Sequence, residues 1–380
     1  MRTLRCALFC ILLFWAARLA AQGNQGPIIH ARQDLRISAE AEDLSWIMAL
    51  AVDSSGRMIV SQPEDSYFLV FDSTGKRIAR FGREGDGPGE FRRMSIGRGW
   101  VGNRFWQYDL VTRRITFYRM PDQLQRSVLL EPSGVAESGI SLLIPYVIAV
   151  LADGSMLAWS PIVRAGKPAA WAATLPTSAG TAVVHLSPRG APDRLVAGWP
   201  AIKEGCTQKV NGRIRPIPEC QDWFWAMSPN GLHLAYAEVS GSADGQAATV
   251  ISLTQTGDTV FARHIPLVPL AINDRSADSI RAHWVAGAKT PELKRDWEDS
   301  RLPKYFVSMK DLVAADDGTV WVQLRHGHEG FLWHEISPDG RSERLWRLPD
   351  NVRLDVVTDD HLYGIETDDI GFDNVVRYAR

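Results

Sequence analysis

Hydrophobic and polar positions alternate along most of this chain in short bursts, each broken by a turn rich in Asp, Asn and Gly. A period of two is the mark of strands with one buried face. Six bursts share a phrase, an Asp/Asn-Gly turn and then a short alternating strand. It reads DSSGRMIVS from Asp53, VGNRFWQYD from Val101, LADGSMLAWS from Leu151, SPNGLHLAYAE from Ser228, AADDGTVWVQ from Ala314 and, without its glycine, TDDHLYGIE from Thr358. These residues suit such turns because they tolerate positive φ or bond their own backbone. An apolar strand precedes each turn. In five units two further strands follow, joined by a tight turn, as in the stretch from Tyr67 to Gly82. Each unit therefore reads as a four-stranded antiparallel meander, and such a unit every roughly 45 to 60 residues is a propeller blade.

The sixth unit is one strand short when the sequence stops at Arg380, while Ile28–Glu40, ahead of the first full blade, reads as a lone strand. Pairing that strand into the last blade closes the ring and removes its open edges. The expected fold is all-β, a six-bladed β-propeller closed by the N-terminal strand. Its blades fall at about 44–82, 93–130, 145–197, 222–266, 308–349 and 352–380 plus 28–40. Two stretches escape the meander. Trp199–Gln221 carries Cys206 and Cys220. Ala271–Pro303 predicts a short helical insertion, with Ala277, Ile280 and Trp284 at helical spacing and Thr290-Pro291-Glu292 as a cap followed by an N-terminal proline.

The start of the chain is of another kind. Arg2 and Arg5 precede an apolar run from Ala7 to Ala17, and small Ala20 and Ala21 follow. That order predicts a secretory signal peptide over residues 1–21, too short to span a bilayer, which takes about 20 apolar residues. The expected location is secreted or periplasmic; an acyl anchor on Cys10 is disfavoured by bulky Phe9. The leader removes Arg2, Arg5 and Arg18, leaving 39 of the 42 basic residues against 44 acidic ones. This balance argues against nucleic acid and anionic membrane as partners, and no second run approaches membrane length. Cys206 and Cys220 are then the two remaining cysteines, and in an exported chain they predict a disulfide closing a fifteen-residue ring, a constraint of about 3 kcal/mol.

FGREGDGPGEFRR, from Phe81 to Arg93, resembles the junction phrase of NHL-type propellers: aromatic-Gly, a Gly-rich turn, then Gly-x-Phe. LPKYFVSMKDLVAADDGTVWV in the fifth blade is similar to bacterial exported six-bladed propellers related to that family. The fuller NHL ending is missing, since Asp65-Ser66-Tyr67 and Val111-Thr112-Arg113 stand in its place. The resemblance implies the fold and a binding or scaffolding role, and carries over no catalytic residue.

Candidate chemistry is sparse. Gly85, Gly87 and Gly89 have the look of a phosphate loop, but no helix pattern follows to supply N–H groups, so a connecting turn is expected. His326 and His328 alternate as two imidazole ligands on a strand would, yet they sit at an expected hairpin, so no metal is assigned. Asp316-Asp317-Gly318 approximates the Asp box of sialidase-like propellers, a turn stabiliser. The acid pairs at Asp359/Asp360 and Asp368/Asp369 fall in turns as well. No Gly-x-Ser-x-Gly elbow occurs, and no motif names a cofactor. Trp106, Trp321 and Tyr363 occupy the place that Ile59, Leu157 and Leu234 take in other repeats, which means packing between blades.

The leading reading is a monomeric exported propeller that binds or scaffolds a small molecule, glycan or protein. The alternative is a propeller enzyme, a lactonase, lyase or other hydrolase-like catalyst, metal-dependent or not, with its site at the central channel mouth. The expected working surface gathers the connections Gly82–Arg93, Trp199–Gln221 and Ala271–Pro303 at one end of the propeller. Lys203, Lys209, Arg213 and Arg215 would meet negative groups there, and Trp284 and Trp297 flat apolar ones, unless those two tryptophans simply bury the helices.

Overall fold

The computed structural model describes residues 27–130, 140–142, 145–164, 175, 179–199, 206–220, 223–242 and 245–380. It begins with β1 (Ile28–His30), β2 (Arg32–Ile37) and a single helical turn, α1 (Ala39–Glu42). Blade one is the meander β3 (Leu50–Val52), β4 (Met58–Gln62), β5 (Tyr67–Phe71), β6 (Arg77–Phe81); blade two is β7 (Met94–Val101), β8 (Arg104–Asp109), β9 (Arg114–Arg119), β10 (Gln123–Leu129). Blade three opens with β11 (Ile140–Leu142), which pairs on the far end of β13. It continues as β12 (Tyr146–Val150), β13 (Met156–Arg164), β14 (Thr181–Leu186) and β15 (Pro192–Trp199).

A separate hairpin follows, β16 (Thr207–Val210) with β17 (Arg213–Pro216). Blade four is β18 (Trp223–Met227), β19 (His233–Ser242), β20 (Gly245–Thr254), β21 (Thr259–Leu267). After α2 (Asp274–Ala286) and α3 (Pro291–Glu298), blade five is β22 (Met309–Ala314), β23 (Val320–Arg325), β24 (Phe331–Ile336), β25 (Glu343–Arg347). Blade six is β26 (Val352–Val357), β27 (His361–Thr367) and β28 (Asp373–Ala379), completed on its outside by β2. The six-bladed propeller and its N-terminal closure are as the repeat requires.

The core is not central. Among the described residues the buried side chains fall into six clusters, one in each seam between neighbouring blades. Trp106, Trp321 and Tyr363 are almost fully buried in three of these seams. The junction phrase fills another. Phe91 is fully buried against Phe68, whose ring also stacks on Phe81, and Phe81 meets Tyr118 of blade two. The charges of that phrase neutralise each other, Arg83 with Glu90 and Arg92 with Glu84 and Asp86. The Gly87 N–H donates to Glu90 Oε2, so the glycines form a turn.

One expectation needs correction. Ile28–Glu40 is not a single strand. Residues 28–30 run parallel to β25 of blade five, whereas residues 32–37 run antiparallel to β28 of blade six, with Ala31 as the hinge between them. The segment then turns helical, because Ser38 Oγ caps the Ala41 N–H and Asn374 Oδ1 takes that of Ala39. The ring is latched across two blades.

The insertions are built on each other. Thr290 caps α3, as its sequence predicts, with Pro291 in the first turn, and Asn273 caps α2. Trp284 and Trp297 meet edge to face at 4.9 Å, and Trp297 is buried. Cys206 and Cys220 are bonded. Asp296 on α3 is fully buried and receives Arg213 through Nε and Nη2, Arg215 through Nε and Asn211 through Nδ2, all from the hairpin. These donors, Arg213 foremost, hold the Asp296 carboxyl well below the ordinary carboxylate range. With two independent ties, removing the disulfide by Cys206→Ser/Cys220→Ser should loosen only the hairpin. Amide exchange should quicken over Thr207–Pro216 while the melting temperature of the blades holds; a global drop in melting temperature would contradict this.

Candidate functional site

Each blade sends its first strand to the axis, so whatever the axis holds is assembled from six distant pieces of sequence. In blade two that strand is distorted. Met94 pairs with Asp109 and Arg98 with Gln107, so four steps on β7 answer two on β8. This wide bulge is braced from behind: Ser95 Oγ donates to the Tyr108 carbonyl and accepts from the Gly97 N–H, and buried Gln107 donates to the Ser95 carbonyl. Bulges re-aim a strand, and this one drives residues 97–100 into the channel.

There the strand touches four other blades. A Cβ on Gly97 would lie 1.8 Å from the Val147 carbonyl oxygen of blade three, and one on Gly99 would lie 2.5 Å from that of Pro229 in blade four. The Trp100 N–H donates to the same Pro229 carbonyl at 3.2 Å. Arg98 donates from Nε and Nη2 to the Leu50 carbonyl of blade one, and Nη2 stands 3.2 Å from Asp355 Oδ2 of blade six. Only glycine permits backbone contact this close. The β7 strand thus reaches the axis between two cups, which share Pro229 and Val356 in their walls.

The first cup, a cavity of about 250 Å³, opens where the inner strands begin. Every blade contributes to its wall, through Leu50, Arg98, Ile148, Trp225, Asp311 and Asp355, with Arg353 beside them. Ile148 and Asp355 sit at the register shifts of β12 and β26, where a bulge turns the side chain toward the axis. Asp355 is spoken for: its Oδ2 takes the Leu50 N–H at 2.6 Å as well as Arg98. Arg353 spends Nη2 on the carbonyls of Ile47 and Met48. Asp311 accepts one bond, from the Leu312 N–H to Oδ1. Among the described residues Asp311 Oδ2 and Arg353 Nη1 have no hydrogen-bond partner.

Burial in this cup, with nearby Asp355 adding to it, pushes the Asp311 carboxyl up to about 6. A carboxyl raised above its unfolded value contributes no penalty while protonated in both states. The folded protein loses stability as pH climbs from about 4 through about 6. Asp311→Asn removes the charge and keeps the oxygen that serves Leu312. It is expected to stabilise the protein by about 1–3 kcal/mol at pH 7 to 8, from the cost of about 1.4 kcal/mol per pKa unit, and by almost nothing at pH 4. Denaturant melts at the two pH values check this; an equal effect at both would remove the charge from the explanation.

The second cup, about 480 Å³, lies at the other end, among the turns that follow the inner strands. Asp53, Asn103, Asn230, Asp316, Asp317 and Asp359 line it. Its acids are largely engaged. Asp53 pairs with Arg57, Asp317 with Arg380, and Asp316 takes the Asn230 N–H.

The cations and tryptophans that the sequence offered as a working surface lie outside both cups where they are described. Lys203 falls outside the described residues. Lys209 is exposed on β16. Arg213, Arg215 and Trp297 meet at α3, with Trp284 against Trp297, and none of them lines either cup. His326 Nε2 stands 2.9 Å from His334 Nε2. His334 Nδ1 bonds Glu343, which pairs in turn with Arg263 of blade four, and burial, followed by His334, pushes the His326 pKa down. The His328 side chain is not among those described. Among the described residues no three His, Cys, Asp or Glu side chains come together as a metal-holding group. Arg98, Asp311, Arg353 and Asp355 escaped notice in the sequence. Their one signal was charge inside otherwise apolar inner strands.

No protein-family model matches the chain, and no curated protein does. Solved structures are similar in outline. Regucalcin from Agrobacterium tumefaciens, described as a calcium-binding protein, is 9% identical with a TM-score of 0.40, over 93% of this chain and 96% of its own. An exported protein from Bacteroides fragilis is 10% identical, TM-score 0.39, over 93% and 98%. Virginiamycin B lyase from Staphylococcus aureus is 9% identical, TM-score 0.36, over 87% and 94%. The count of six blades rests on the strand pairing itself. Among the described residues no helix is long and apolar enough to cross a membrane.

Proposed function

We propose that this chain is an exported, NHL-like propeller that binds a small polar ligand in the cup at the start of its inner strands. The observation that carries the reading is the pairing of two uncommitted groups, Asp311 Oδ2 and Arg353 Nη1, on the wall of a cavity to which all six blades contribute. Small-molecule sites are concave, mostly apolar and armed with a few converging polar groups, which describes this cup. The connections that carry the hairpin and the helices emerge at the end where the cup opens, and long insertions in connections more often serve binding than stability. In this reading Lys209, Arg213, Arg215, Trp284 and Trp297 belong to the approach to the mouth. Among the described residues the cup offers no nucleophile beside a base, which favours binding over lactonase- or lyase-type turnover.

Two measurements test this. N-terminal sequencing of protein recovered outside the cytoplasm should begin at Gln22. Thermal-shift screening against the amino acids and common mono- and disaccharides should find a stabilising compound whose effect disappears in both Asp311→Asn and Arg353→Gln. Stabilisation that survives in both variants would move the site out of the cup.

A further inference from the structure

The seam between blades two and three holds a cavity of about 300 Å³, separate from both cups, at the end of the propeller where the Asp-Gly turns lie. One side of it is apolar, with Val101, Ile115, Phe117 and Val128 from blade two and Val150 and Met156 from blade three. At its edge stand Arg104, half-buried, and Arg126, exposed. Both guanidiniums lie over the Phe117 ring, at 5.8 and 4.6 Å from its centre. Neither has an ion pair or hydrogen bond among the described residues, although most arginines of this protein are paired.

Their arrangement runs against ordinary sheet chemistry. Arg104 lies directly opposite Arg119 in the β8–β9 ladder, and Arg126 directly opposite Phe117 in the next one. Like charges directly across a ladder repel, and here three arginines share one face of the blade. The cavity's one carboxylate does not relieve them. Asp153 Oδ1 is committed to the N–H and hydroxyl of Ser155 within its own turn. A slot with an apolar wall and a pair of uncompensated guanidiniums at its mouth is complementary to a molecule with an apolar body and an anionic head.

We propose that this seam is a second binding site, for a small amphiphilic monocarboxylate. Its chain or ring lies along Phe117, Val128 and Val150, and its carboxylate accepts hydrogen bonds from Arg104 and Arg126. Planar guanidinium forks match a carboxylate in geometry as well as charge.

Octanoate is the probe, followed by calorimetry on the full chain, with octanol and acetate as the two half-molecules. Octanoate should bind, octanol at least about tenfold more weakly for the lost hydrogen bonds to charged groups, and acetate at least about tenfold more weakly for the lost apolar burial. Arg104→Gln and Arg126→Gln should each weaken octanoate by a similar factor. Ala152→Trp, on the exposed turn at the cavity mouth, should exclude it while leaving both arginines in place. Asp311→Asn should leave the octanoate affinity as it is, which separates this site from the cup. Octanol binding as tightly as octanoate would overturn the role of the arginines. Acetate binding as tightly would reduce the site to a bare anion patch. Octanoate binding undiminished in Ala152→Trp would place it elsewhere on the molecule.

Discussion

Alanine at Gly97 is expected to cost the protein about 3 kcal/mol or more, in the upper range for a single methyl group. The reason is steric and local. The new Cβ would meet the Val147 carbonyl oxygen at 1.8 Å, where the obstacle is backbone of the next blade and not the far end of a flexible side chain. Relief requires β7 to withdraw from the axis. Withdrawal breaks the Trp100–Pro229 hydrogen bond and pulls Arg98 from Leu50 and Asp355, leaving that carboxylate to the longer contact with Arg353 Nε at 3.5 Å. Gly102, with nothing within 4 Å of its would-be Cβ, is the control. Its alanine variant suffers only backbone strain, about 1 kcal/mol. Denaturant unfolding of the two variants side by side decides the matter. Equal losses would mean that β7 is free to withdraw.

Removal of residues 27–37 is expected to do still more. It strips β2 from blade six and β1 from blade five, so the edges of β28 and β25 are both left unpaired. It also deletes the partners of Arg377, which reaches Asp34, and of Glu366, which holds Arg36. Open edges invite pairing with other chains. The truncated protein should lose its cooperative melt and aggregate on warming, whereas a shorter deletion of 27–31, removing β1 alone, should melt cooperatively at a lower temperature. A full truncation that melts like the intact protein would show that closure contributes nothing.

How much of this could be read beforehand follows from where the information lies. The blades were legible because each is a local meander whose alternation and turn residues sit within about 50 residues, and the phrase recurs. Closure was legible by counting strands. The hinge at Ala31 was not, because Ile28–His30 carries no pattern distinguishing it from β2; the free edge of β25 decides where it goes. Arg213 and Arg215 were visible as cations, but their common partner Asp296 lies 83 and 81 residues on. The cup was the least legible of all, since its wall takes a few residues from each of six separate strands. Even so, Gly97 and Gly99 alternating inside a strand are a sign of close backbone approach, and Asp355 within the apolar strand VRLDVV pointed at the axis.

The latch also bears on how fast the protein forms. Five seams join neighbours in sequence, but the seam of blades six and one packs Met58 against Tyr363, and the bond from Arg377 to Asp34 spans 343 residues. Contacts of that separation carry the full entropy of closing the loop before they return anything, and they form last. Until then five blades are an open arc with two raw ends, the state most exposed to misassembly with other copies. Refolding should therefore be biphasic, with a fast phase reporting burial of Trp106 between blades two and three and a slow phase reporting Tyr363 against blade one, and dilution should favour the second.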